Sequence, residues 1–193
     1  GALPTPKELT ARAKEYGMSS LALTDNGALY GAINFYKACE KEGIKPIIGL
    51  DAYLAPRTRF DKEAGLDKPR GRVVFLAKNN DGYKNLIKMV TESYVHGFYY
   101  RPRIDHALIE ELHKDLICII PSFSGEPVLA LKDGRDETAE ASLDWYRSIF
   151  GDDVYLELTH HPEIEGHESL QEQIKTLSQK MTVPLLAAHD VYY

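Results

Sequence analysis

Apolar positions along the chain alternate between a helical period and short continuous runs. The stretch from Pro6 to about Tyr16 is amphipathic. It opens with Thr5 as N-cap, Pro6 in the first turn and Glu8 three residues on, the spacing of a capping box. Gly17 stands where a left-handed residue ends such a helix. Residues 21–24 then form a strand-like run, and a second helix is predicted over 28–42, closed by Gly43. Residues 45–54 are nearly continuously apolar and predict a strand, whereas 56–71 are charged and punctuated by proline and glycine, which predicts a surface excursion. Further strands are predicted at 72–77, 116–120, 154–158 and 184–188. Helices are predicted at 81–95, 107–113, 137–150 and 170–180.

About six strands separated mostly by helix-length segments point to an α/β fold with a parallel sheet covered by helices, closed as a barrel or left open. No internal repeat and no proline- or serine-rich linker divides the sequence, so residues 1–193 are expected to form one domain.

Composition narrows the class. Of the 193 residues, 44 % are hydrophobic and 27 % charged, an ordinary globular balance that excludes disordered, collagen-like and coiled-coil chains. The apolar runs, such as 185–188, are too short for a membrane span. Pro4, Pro6 and Glu8 lie where a signal peptide would be apolar, so a cytoplasmic location is expected. Cys39 and Cys118 sit in apolar contexts without a CxxC spacing and predict buried thiols in a reducing compartment. With 23 basic against 29 acidic residues the net charge is −6, so any DNA contact must be local or supplied by a neighbouring domain.

In parallel α/β folds the working residues gather at the carboxyl ends of strands. There the sequence places Asp25 and Asn26, Asp51, Ser122 and Ser124, Glu157 with His160 and His161, and His189 with Asp190. Carboxylates and imidazoles converging from separate strands are what a divalent metal requires. Asp25 serves equally as a cap for the following helix, and His160–His161 as a solvated pair before Pro162. There is no GxGxxG, GxxxxGK[ST], HExxH or GxSxG motif. Phe98, Tyr99 and Tyr100 precede Arg101 and Arg103. Such a mixture can stack bases and pair phosphates, or form a packed corner whose arginines meet local carboxylates.

Five collinear phrases carry a family resemblance: LALTDNGALYGAINFYKAC, GIKPIIGLDAYLAP, FLAKNNDGYKNLIKMVTESYVHGFYYRPRID, FGDDVYLEL and PLLAAHDVYY. They resemble the PHP (polymerase and histidinol phosphatase) domain of bacterial DNA polymerase III alpha subunits, and the third is typical of that polymerase branch. The resemblance implies a distorted seven-stranded (β/α) barrel with up to three metal ions at the strand ends. The family's first strand carries an HxH motif. Gly1 looks like the residue just after it, so a barrel lacking its first strand, with two open edges, is expected.

The resemblance also assigns ligand positions, most of them altered. Where metal-binding members have Thr-Asp-His, this chain has Thr24, Asp25 and Asn26; their next-strand glutamate is Asp51. A histidine is replaced by Arg72, a cysteine by Ser122 and the last histidine by Tyr192, while Asp190 is kept. Asp51 and Asp190 thus stand in clear ligand positions, and His189 is an additional candidate. This set implies a dismantled metal site with no cofactor, and Zn, Mn or Mg only if the site works.

The function implied is that of a non-catalytic scaffold in DNA replication. It would contact the other domains of a DNA-directed DNA polymerase, a proofreading exonuclease subunit and, through the holoenzyme, DNA. The nucleotidyltransferase chemistry would lie outside this chain. The alternatives are a metal-dependent phosphoesterase or 3′–5′ exonuclease, and a stand-alone binder of a phosphate-bearing ligand through Arg72, Arg101 and Arg103.

Overall fold

The structure, a computed structural model, describes residues 5–68 and 71–188. Helix α1 (Pro6–Glu15) begins in the expected capping box: the Glu8 backbone N–H donates to Thr5 Oγ1 at 3.3 Å and the Thr5 N–H to Glu8 Oε2 at 2.6 Å. Strand β1 (Ser20–Asn26) and helix α2 (Ala32–Glu42) follow, and then β2 (Lys45–Leu54), β3 (Gly71–Ala77) and α3 (Asn80–Val95). The remainder runs β4 (Arg103–Ile104), α4 (His106–Leu112), β5 (Leu116–Ile120), α5 (Glu126–Lys132), α6 (Asp136–Phe150), β6 (Val154–Leu158), α7 (His167–Met181) and β7 (Leu185–Ala187). Among the described residues, no helix is long and apolar enough to cross a membrane.

These elements build an α/β fold around a curled half-barrel sheet. Its strands run in the order β1-β2-β3-β5-β6-β7, with the two-residue β4 paired to β2 beside this path. The expected all-parallel sheet is corrected. β3 runs antiparallel to both β2 and β5, while β1–β2, β2–β4, β5–β6 and β6–β7 are parallel. Parallel neighbours need a crossover, usually helical. The segment between β2 and β3 contains no helix among its described residues, and it returns the chain antiparallel.

Two local expectations also shift, and one helix appears where none was expected. Helix α2 starts at Ala32 and not near residue 28, because the turn after β1 hangs from the strand ends: Gly27 N–H donates to Asp51 O at 2.8 Å and Gly31 N–H to Asp25 Oδ2 at 2.7 Å. Gly27 has φ +61°, and a Cβ there would lie 2.9 Å from Pro102 Cγ, so this position requires glycine. Helix α7 begins three residues earlier than its apolar period indicates, after Gly166 at φ +76°. Helix α5, at seven residues, is too short to show a period.

One apolar cluster binds the sheet to α3–α7. Val73 and Phe75 of β3, Leu50 and Leu54 of β2, and Cys118 and Ile120 of β5 pack with Met89, Leu143, Tyr146 and Ile174. A smaller cluster of Ala13, Leu23, Phe35, Cys39 and Ile44 seats α1 and α2 on β1. Both cysteines are buried and unbridged, as expected.

The excursion after β2 is clasped by a guanidinium. Arg103 is completely buried, and it donates from Nε to Gly97 O (3.0 Å), from Nη1 to Asp67 O (2.6 Å) and from Nη2 to Asp61 O (2.7 Å) and Arg59 O (3.3 Å). Burial pulls its pKa down, but a guanidinium stays charged at any ordinary pH. Arg57 donates to both oxygens of the buried Asp67 (2.9 and 2.5 Å) and holds that carboxyl down at about 2. Arg59 pairs with Asp105, which also caps α4 through the Leu108 N–H at 3.0 Å.

Arg103→Met is expected to lower unfolding stability by about 3 kcal/mol, because the carbonyls of Asp67, Asp61 and Arg59 lose the guanidinium and Gly97 O keeps only the Arg103 backbone N–H. Urea unfolding measures the loss, and limited proteolysis should show cleavage moving into residues 56–68; unchanged stability would contradict the clasp.

Candidate functional site at the strand ends

Side-chain alternation decides what reaches the uncovered face of the sheet. Along β3, Gly71, Val73 and Phe75 are buried, while Arg72, Val74 and Leu76 are half-exposed. The register opposes Asp51 to Val74 and Tyr53 to Arg72 across β2–β3, and Asn26 to Asp51 across β1–β2. Asn26, Asp51, Tyr53 and Arg72 therefore emerge together on one face at neighbouring strands.

There the Arg72 guanidinium binds Asp51 bidentately, Nε to Oδ1 at 2.8 Å and Nη2 to Oδ2, and it also donates from Nη2 to Asn26 Oδ1. The ion pair is largely shielded, with side-chain exposures of 22 % for Arg72 and 16 % for Asp51. The ring of Tyr53 lies 5.2 Å from the same guanidinium carbon. The Arg72 backbone N–H donates to Ser124 O at 2.8 Å, which draws the loop after β5 alongside.

Ser122, in that loop, is fully buried. Its N–H donates to Glu157 Oε2 at 2.8 Å and its hydroxyl lies 2.8 Å from Thr159 Oγ1. Asp25 receives the N–H of Gly31, the residue that precedes α2, at 2.7 Å. His160 is exposed, but His161 is half-buried, with Nδ1 2.9 Å from Glu163 Oε1 and its ring edge-on to His167 at 5.4 Å. His189, Asp190 and Tyr192 lie outside the described residues.

The structure thus joins Asn26, Asp51 and Arg72 and places Ser122 with Glu157 and Thr159. Arg103, expected as a phosphate contact, is corrected to a buried clasp, its donors spent on carbonyls. Arg101 remains exposed, its guanidinium carbon 5.7 Å from the Tyr53 ring. Tyr53 was missed, although its place two residues after Asp51 on a strand is the signal for a shared face. A groove of about 650 Å³ lies along α7 beside β7, lined by Thr159, His160, His167, Gln171 and Lys175 among others.

A dication at this face would have to share Asp51 with a fixed positive charge 2.8 Å from one carboxylate oxygen, and Asn26 offers only a neutral amide oxygen. Asn26, Asp51 and Arg72 therefore do not fit a divalent metal, and no group of three or more ligand-type residues with metal-holding geometry occurs among the described residues.

The PHP domain family matches residues 2–161, and the chain belongs to it. Within it, the similar curated proteins are DNA polymerase III alpha subunits, at 42 % identity over 187 residues in Borreliella burgdorferi and 38 % over 192 in Aquifex aeolicus. Each alignment covers 96 % of this chain but 16 % of the relative, so the chain spans about one-sixth of their length. Among solved structures, a Bifidobacterium adolescentis protein assigned as a metal-dependent phosphoesterase shares the fold at TM-score 0.55 and 12 % identity, covering 95 % of this chain and 81 % of that one. An amidohydrolase from Chromobacterium violaceum, holding sulfate and no metal, does so at TM-score 0.52 and 11 % identity, with 96 % and 81 % covered.

A double-mutant cycle of Arg72→Met and Asp51→Asn is expected to give a coupling of about 1–2 kcal/mol in urea unfolding. A coupling near zero would mean that the pair is only a surface contact.

Proposed function

We propose that this chain is the PHP domain of a bacterial replicative DNA polymerase and serves there as a non-catalytic scaffold in the cytoplasm. The observation that carries this reading is Arg72, whose guanidinium neutralises Asp51 where a metal would otherwise do so. A site balanced from within needs no cation to hold its carboxylate. On this reading Asp51 and Asp190 are remnants of a ligand set that no longer holds zinc, manganese or magnesium, and His189 is an additional candidate beside them. The partners are the remaining polymerase domains and a proofreading exonuclease subunit. DNA synthesis itself belongs to the rest of the longer enzyme, as the one-sixth coverage of its relatives suggests.

A second reading, a metal-dependent phosphoesterase or 3′–5′ exonuclease, draws support from the assignment of the similarly folded Bifidobacterium protein. It requires Asp190 and His189 to recruit a metal despite Arg72.

Calorimetric titration with zinc and manganese separates the two. Weaker than about micromolar affinity is expected both for the chain and for its Arg72→His variant, because one restored imidazole leaves Asn26 and Ser122 in place. Sub-micromolar binding by either would favour the phosphoesterase. The docking role predicts co-elution of the chain with the proofreading exonuclease subunit of the same organism in gel filtration; separate elution at tens of micromolar would remove it.

A further inference from the structure

The loop between α3 and β4 holds aromatic rings out in solvent. Tyr100 has φ +60°, a left-handed conformation that side chains other than glycine rarely adopt, and its side chain is 66 % exposed. The loop is nevertheless tightly built. Tyr99 N–H donates to Arg101 O at 3.0 Å, Arg103 holds Gly97 O from within, and a Cβ on Gly97 would lie 1.9 Å from Arg103 O. A strained residue on so rigid a base is kept there by its surroundings, with its ring presented outward.

The Tyr100 ring meets that of Tyr99 edge-on at 4.7 Å, and other rings of α3 and this loop are exposed as well. Phe98, 49 % exposed, lies 6.1 Å from Tyr94, and the Tyr94 hydroxyl lies 3.1 Å from that of Tyr30, itself 81 % exposed. The close approach of Gly27 to Pro102 and Tyr53 brings the Tyr30 loop against this corner. Cations flank the rings: Arg101 over Tyr53, and Lys68 Nζ 5.9 Å from the centre of Tyr100. Nearby Asp51 is already matched by Arg72.

We propose that this surface, Tyr30, Tyr53, Tyr94, Phe98, Tyr100 and Arg101, binds single-stranded DNA. The exposed rings of Tyr30, Tyr94, Phe98 and Tyr100 offer faces for unpaired bases beside the half-buried Tyr53, and Arg101 and Lys68 offer charge to phosphates. A duplex keeps its bases stacked and cannot use the rings. The net charge of −6 removes a general attraction for polyanions, so binding rests on stacking and one local pair of cations. This inference goes beyond the scaffold role and does not depend on it.

The test is fluorescence anisotropy of a labelled oligothymidylate of about 20 nucleotides, titrated with the chain at about 50 mM salt. Saturable binding is expected. Tyr100→Ala and Arg101→Ala should each weaken it by about fivefold or more, Tyr100→Phe should retain it, and an abasic strand of equal length should bind as poorly as the alanine variants do to the intact strand. Circular dichroism establishes that each variant keeps its fold. Binding that survives Tyr100→Ala, or an abasic strand bound as well as the intact one, would overturn the proposal. So would no saturation at about 100 μM protein, which would leave the surface to a protein partner.

Discussion

The two-residue alternation of β2 and β3 is the constraint on which both core and site depend. It sends Leu50, Ala52, Leu54, Val73 and Phe75 beneath the helices, where all are buried. The same alternation must deliver Asp51, Tyr53 and Arg72 to the opposite face, together with whatever charge they carry. A slip of one residue in the β2–β3 register would bury the ion pair and expose Phe75, a double cost that fixes the pairing. The antiparallel join makes the site: only in that direction does Arg72 lie diagonal to Asp51, opposite Tyr53.

Within that face the decisive property of Arg72 is permanence. A histidine could bind a cation as neutral imidazole, whereas a guanidinium stays charged throughout the physiological range and prefers two parallel bonds to one carboxylate. Bidentate contact with Asp51 and a further bond to Asn26 convert three strand ends into one cross-braced unit. Both side chains are mostly shielded, so the pair is neither a solvated surface contact nor a fully dehydrated one.

Much of the local structure was legible in the sequence. The Thr5–Glu8 spacing announces α1, and the apolar run 45–54 marks the whole of β2. The strand direction was not legible, because continuous apolar strands look alike whichever way they run. Antiparallel β3 follows from a helix-free connection whose course depends on distant groups, notably Arg103 and Asp105. β4 has two residues and α5 seven, too few to establish a period. For the site, position identified Asp51 and Arg72 as strand-end groups, but only register shows that they meet. The final ligand positions, His189, Asp190 and Tyr192, lie outside the described residues.

The three arginines of the argument show why residue type alone stops short of function. Arg72, Arg101 and Arg103 carry the same charge, and the last two are separated by one proline. Arg103 faces inward from β4 and finds carbonyls that helices and strands have left unpaired, so its charge is spent on folding. Arg72 emerges on the open face beside a carboxylate and is spent on neutralising it. Arg101 sits beside a residue held at positive φ, faces solvent and rests near a tyrosine ring, so it retains donors for a ligand. What separates these roles is the set of acceptors within about 3 Å of each guanidinium, which the fold supplies from segments distant in sequence.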